Sequence, residues 1–170
     1  MMSASQWHMR IENQYHAMCA FPFNRHFSWR VAEGQRTPRV MAYKVTYYVK
    51  TPVMVNGKLQ AQEKTEVLIT MSDSPGGNPT ARIISGKIPY LPNLYTNGNF
   101  CLGTMWSGEP VLWKLVINIG YLLALDADKT HPGSPANSSA ANDWNDQKSA
   151  LYKFRTTHTK VHFPTPVGYH

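Results

Sequence analysis

The 170-residue chain carries 42% hydrophobic and 12% aromatic residues, which suits a folded globular protein and excludes an intrinsically disordered one. Its formal net charge of +7 would fit a nucleic-acid binder, yet the basic residues stand singly, as in Arg25, Arg30, Arg36, Arg39, Lys44, Lys50 and Lys58. No basic run is interleaved with aromatics, which argues against nucleic acid and for a charged protein partner.

No window approaches the roughly 18 uninterrupted apolar residues of a membrane helix, and the first residues lack the apolar core of a secretion signal. With two cysteines, a thiol-reduced, cytoplasmic protein is the expectation.

Ser3 caps a helix over 3–19, in which Trp7, Ile11, Tyr15 and Met18 fall on one apolar stripe. Phe21-Pro22-Phe23 ends it. FSWRV (27–31) reads as a short strand, followed by a polar loop with Gly34 and Pro38. The β-branched and aromatic run VMAYKVTYYV (40–49) reads as another strand. Asn56-Gly57 is the strongest hairpin signal, because a type I′ turn needs positive φ at both positions. EVLITM (66–71) alternates with period two, DSPGGNP (73–79) is a turn, and ARIIS (81–85) is a further strand. A helix followed by an antiparallel meander results.

Lys87 to Cys101 holds Pro89 and Pro92 and no periodicity, so it reads as an ordered irregular loop. VLWKLVINIGYLLAL (111–125) is apolar almost all round, the mark of a buried helix, with Gly120 as its one weak point. After the polar loop DADKTHPG, Ser134 as N-cap and Pro135 in the first turn open a last helix, with Ala140, Ala141, Trp144, Leu151 and Tyr152 at helical spacing. The tail 156–170, with Pro164 and Pro166, is expected to be peripheral. The whole, 1–170, reads as one α+β domain: an N-terminal helix, a four-stranded antiparallel meander, a loop, and two C-terminal helices.

Cys19, beside Met18 and Ala20, fits a buried structural thiol. Cys101 follows no helical or strand stripe and ends a turn-rich loop, where reactive residues concentrate. A Cys19–Cys101 disulfide does not suit a reducing compartment. His158 and His162 stand four apart without a Cys or acidic partner, short of the ligands a zinc site needs. A Cys-His dyad stays open, because such partners meet in space rather than in sequence.

LPNLYTNGNFCL (91–102) resembles the active-site segment of ubiquitin-conjugating enzymes, in which His-Pro-Asn precedes a Gly turn and a catalytic Cys-Leu. Asn93 precedes Cys101 by eight residues, as in that family. SPANSSAANDW (134–144), with Lys148 and Tyr152 after it, resembles the start of the family's penultimate helix, and the order of elements over roughly 3–156 is similar to its fold. Leu91 replaces the motif histidine, which in the family mainly organises the loop. The Trp usual eight residues after the Cys is missing, and Trp106 comes at five. The chain ending soon after that helix suggests a divergent, minimal member, of the kind found in bacterial ubiquitin-like conjugation or CBASS antiphage operons.

The resemblance implies acyl transfer without metal or cofactor. Cys101 would take a C-terminal glycyl group from an activating enzyme or other thioester donor, and surrender it to an acceptor lysine. The carried group would belong to a ubiquitin-like protein or a cGAS-like nucleotidyltransferase. Asn93 would hold the loop or donate to the oxyanion, and Gly98 would let a glycine-ended tail pass close. Ser134 would orient the amine, with Asp126, Asp128 and Tyr95 as supporting or alternative acids. Residue-level alternatives are that Asn93 completes a Pro-Asn turn, that Ser134 is only a cap, and that Asp126 and Asp128 belong to a solvated loop. At the level of function they are a non-catalytic binding module of the same fold and a Cys hydrolase of such linkages.

Overall fold

In a computed structural model, which describes residues 1–106, 111–130, 132, 135–157 and 160–168, Ser3 opens helix α1 (Ala4–Cys19) through a reciprocal capping box with Gln6. Trp7, Ile11 and Met18 are buried along its inner stripe, while Tyr15 sits half-buried with its ring edge-on to Trp29. Cys19 falls one position beyond Met18, a turn of about 100° around the axis, and is exposed rather than buried as its sequence neighbours suggested.

Strands β1 (Phe27–Val31), β2 (Ala42–Tyr47), β5 (Thr65–Thr70) and β6 (Thr80–Ser85) form one antiparallel sheet in the order β1-β2-β5-β6. The β2 strand is shorter than the 40–49 expected. Tyr43, Val45, Tyr47, Val67 and Ile69 point into the core, and the Tyr47 hydroxyl donates to the Val116 carbonyl of the next long helix at 2.6 Å. The outer face carries Arg30 paired with Glu66.

Between β2 and β5 the chain extends into a separate hairpin, β3 (Thr51–Val55) and β4 (Lys58–Gln62). Its turn is Asn56-Gly57, with φ of 50° and 75° as type I′ requires. The four-stranded meander is therefore interrupted by a projecting arm.

Helix α2 (Leu112–Leu123) is buried on nearly every side, as its composition demands. Val111 gives it no side-chain cap; Gln14 of α1 accepts the Leu112 N–H at 2.7 Å and does that work from across the fold. Gly120 is a socket rather than a flaw. A Cβ there would lie 2.6 Å from the Phe163 ring, which packs edge-on to Tyr121 and beside Phe27 and Tyr47.

Two expectations for the C-terminal part are corrected. The single last helix is two, α3 (Ser138–Asn145) and α4 (Ala150–Thr156), so three α-helices follow the loop among the described residues. Asn137 is the N-cap of α3, leaving Pro135 outside the helix, and Ser149 caps α4. The break lies where Asp146 and Ser149 bond to nearby backbone in preference to continuing the helix. The tail is not merely peripheral. Phe163 and Pro166 are buried, and Val167 N–H bonds to the Ala20 carbonyl at 2.9 Å, tying the tail to the end of α1.

Two outcomes follow from this packing. In denaturant titrations Gly120→Ala should cost about 1–3 kcal/mol by overpacking, and much less in a Phe163→Ala background, because both changes act at one contact. Additive effects would show that Phe163 does not fill this socket.

Burial raises the phenols of Tyr43 and Tyr47 well above their ordinary value, and that of Tyr90 is pushed up to about 12 by burial and then by Asp143. The protonated forms are favoured by folding, so their contribution is complete below the unfolded value near pH 10 and is lost as pH rises beyond it. Unfolding midpoints should hold level up to about pH 9 and fall above 10, with a shallower fall in Tyr47→Phe.

Candidate active site

The segment read as an irregular loop contains a miniature hairpin. Cys101 N–H bonds to the Asn93 carbonyl at 2.9 Å, Leu94 bridges Phe100, and Tyr95 N–H bonds to the Asn99 carbonyl at 2.8 Å. The turn is Thr96-Asn97-Gly98: Gly98 N–H returns to the Tyr95 carbonyl at 2.9 Å, and Gly98 has φ +94°. This is a three-residue hairpin loop with its glycine in the left-handed region. Leu94 and Phe100, apolar and equidistant from Asn97, were the signal for it in the sequence.

The hairpin explains the eight-residue offset, since positions 93 and 101 are cross-strand partners. Its second limb then docks on β6, which extends the sheet edge by one short strand. Ile83 N–H bonds to the Gly98 carbonyl at 2.8 Å, and Phe100 N–H to the Ala81 carbonyl at 2.9 Å. Cys101 thus leaves the sheet edge half-exposed, directly after a residue held by the ladder.

Asn93 is buried, at 4% exposure. Tyr95 is exposed, and its phenol is raised above its ordinary value by the neighbouring Cys101 sulfur, first as a hydrogen-bond partner and then through the charge of the ionised thiol. Leu91, in the motif histidine's place, is buried in the apolar core. Its packing anchors the start of the loop in the core.

Three further contacts, none legible in the sequence, fix the approach to this hairpin. Gln62 clamps Lys87 by bonding both its N–H (2.9 Å) and its carbonyl (3.1 Å). Tyr90 N–H bonds to the Pro52 carbonyl at 2.8 Å, and the Tyr90 hydroxyl donates to Asp143 of α3, also at 2.8 Å. The Pro92 carbonyl accepts the N–H groups of Ala136 (2.8 Å) and Asn137 (3.1 Å).

The segment leading into α3 is therefore stitched to the residue preceding Asn93. Ser134 itself, like His158, lies outside the described residues. The Asp126 carboxylate accepts the Asp128 N–H in a local turn, and both residues line a separate cavity of about 330 Å³ with Arg155 and Lys160. Beside the cysteine, a cleft of about 450 Å³ is lined by Pro79, Thr80, Asn99, Phe100, Leu102 and Trp106.

This arrangement has solved counterparts. A protein of Plasmodium yoelii assigned as a ubiquitin conjugating enzyme superposes with a TM-score of 0.59 at 16% identity, covering 96% of this chain and 99% of that one. Ubc12 of S. cerevisiae gives 0.60 at 15% identity, over 96% of this chain and 86% of its own. The chain has the fold of the ubiquitin-conjugating enzymes.

A ubiquitin conjugating enzyme E2 of Plasmodium falciparum matches over 68% of this chain and 96% of its own, with a TM-score of 0.50 and 20% identity. Neither a protein-family model nor a curated protein matches the sequence. At these identities the likeness lies in the backbone, and the chemistry must be argued from this chain's own side chains. No helix among the described residues is long and apolar enough to cross a membrane.

The Tyr95 contact gives a direct test on the uncomplexed protein. The Cys101 sulfur holds the Tyr95 phenol above its ordinary value, so Cys101→Ala should bring the Tyr95 titration, followed by NMR of its ring, back towards the ordinary value near 10. An unchanged titration would remove Tyr95 from the site.

Proposed function

We propose that this chain is a ubiquitin-conjugating-type cysteine acyl carrier. The observation that carries the reading is the pairing of Cys101 with Asn93 across a rigid hairpin at the sheet edge of this fold. An accessible thiol held by a backbone ladder suits a nucleophile that must present itself to two successive protein partners.

The Cys101 thiolate attacks the thioester carbonyl at the C-terminal glycine of the carried protein. A new C–S bond forms, and the activating enzyme's thiolate leaves. An acceptor lysine amine then attacks the same carbonyl, an amide forms, and Cys101 departs as thiolate while the amine's proton passes to a base. Sulfur serves in both steps because its thiolate is both a strong nucleophile and a competent leaving group.

Asn93 holds the loop through its carbonyl and is the proposed oxyanion donor through its amide. Ser134 is proposed to orient the amine, since the segment that follows it is bonded to Pro92. The carried protein is proposed to be a ubiquitin-like protein or a cGAS-like nucleotidyltransferase of a bacterial antiphage system, and the cellular setting the cytoplasm. Among the described residues no histidine bonds to Cys101, so the hydrolase reading gains no support from them.

The purified chain, mixed with its activating enzyme, carrier and ATP, should form a thiol-labile adduct that Cys101→Ala abolishes and Cys101→Ser converts to a thiol-resistant ester. A thiol-labile adduct surviving in Cys101→Ala would falsify the assignment. Asn93→Ala should lower transfer to lysine by about 10²–10³, the usual loss for one oxyanion donor. Comparing it with Asn93→Asp at equal folded fraction, by single-turnover transfer from the preformed adduct, separates that role from loop stability.

A further inference from the structure

We infer that the outer edge of β4 is a docking edge for an extended, acidic peptide segment of a protein partner. The inference goes beyond the acyl-carrier reading and does not rest on Cys101 chemistry.

A two-residue turn at Asn56-Gly57 makes Val55 and Lys58 a hydrogen-bonded pair, so Val53–Gln60 and Thr51–Gln62 are bonded pairs as well. At the alternate positions, Met54–Leu59 and Pro52–Ala61, the peptide groups point away from the hairpin. The β3 side bears this out: Pro52, which has no N–H to offer, turns its carbonyl outward to Tyr90, and Val53 bridges Pro89. The β3 edge is thereby covered by the active-site loop. On β4 the outward groups are the N–H and C=O of Leu59 and Ala61, and among the described residues no strand, bridge or turn bond takes them.

A strand edge of this kind accepts an added strand through main-chain bonds, with the flanking side chains choosing the partner. Here the choice is for negative charge. The arm 48–64 carries Lys50, Lys58 and Lys64 against the single acid Glu63, and Lys87 lies next to its base, held by Gln62. Lys58 on β4, with Lys64 just beyond its end, also opposes pairing with another copy of the same strand, which disfavours a second copy of this chain and favours a strand of opposite sign. The base of the arm grips the loop that leads to Cys101, so a strand bound to β4 would be held at a fixed place relative to the thiol.

The test uses the full-length protein and a fluorescein-labelled peptide, Thr-Glu-Val-Glu-Val-Glu-Thr, followed by anisotropy. Hydrogen exchange of individual amides is measured in parallel. Binding should slow exchange at Leu59 and Ala61 by about tenfold or more and weaken as salt rises from about 50 to about 300 mM.

Ala61→Pro removes one outward N–H at a position where the hairpin makes no internal bond, and should weaken binding by about tenfold. The pair Lys58→Glu and Lys64→Glu should do the same without touching the backbone. Cys101→Ala should bind as the parent does, so that failure of the thioester assay leaves this result standing. Equal binding of the lysine-for-glutamate peptide, no binding at millimolar peptide, exchange unchanged at Leu59 and Ala61, or a dimer lost on Ala61→Pro would each overturn the proposal.

Discussion

A buried loop without a ladder of its own must satisfy its peptide groups elsewhere, and this constraint organises the molecule around Cys101. Residues 89 and 91–94 are buried, yet the segment 87–93 belongs to no strand or helix of its own. Its N–H and carbonyl groups are taken by the β3–β4 arm, by the segment leading to α3, and by the second limb of its own hairpin. Each partner comes from a different part of the chain, so the loop has one place to go. The thiol inherits that definition through a single peptide bond beyond Phe100.

The core supports the same end. The side of α2 fills the space between the sheet and the other helices, and its two ends are secured by residues remote in sequence. Gln14 caps its start, and Phe163 enters the notch that Gly120 leaves near its finish. The charged groups contribute less. Arg30–Glu66 and Lys44–Glu33 lie on the solvent face, where such pairs are worth about 0–1 kcal/mol. Packing and backbone satisfaction, rather than surface charge, hold the geometry on which the proposed acyl transfer relies.

The arm sets this chain apart from a plain meander. Its base is part of the active-site support, whereas its far edge is turned to solvent with Lys58 on it. One element therefore has two tasks, which are compatible because a β-strand has two edges. Pro52 fits the arrangement, since a residue without an N–H can lie only where no ladder bond is required of it. It marks β3 as the edge that closes on the loop, and leaves β4 as the edge that stays open.

Local patterns in the sequence determined α1, the four strands of the main sheet, the Asn56-Gly57 turn and the buried α2, because caps, alternation and continuous apolar runs act over a few residues. Asn93 and Cys101 were legible as a spaced pair, but not the hairpin that makes the spacing meaningful. Read locally, Ser134-Pro135 looked like a helix start; Asn137 starts the helix because the two peptide N–H groups at 136 and 137 are committed to the Pro92 carbonyl. Gly120 looked like a weakness until Phe163 arrived from the tail to fill it. Only the tertiary structure could decide these points, along with the exposure of Cys19. Each depends on which distant group occupies a site, and a distant occupant leaves no periodicity in the sequence around it.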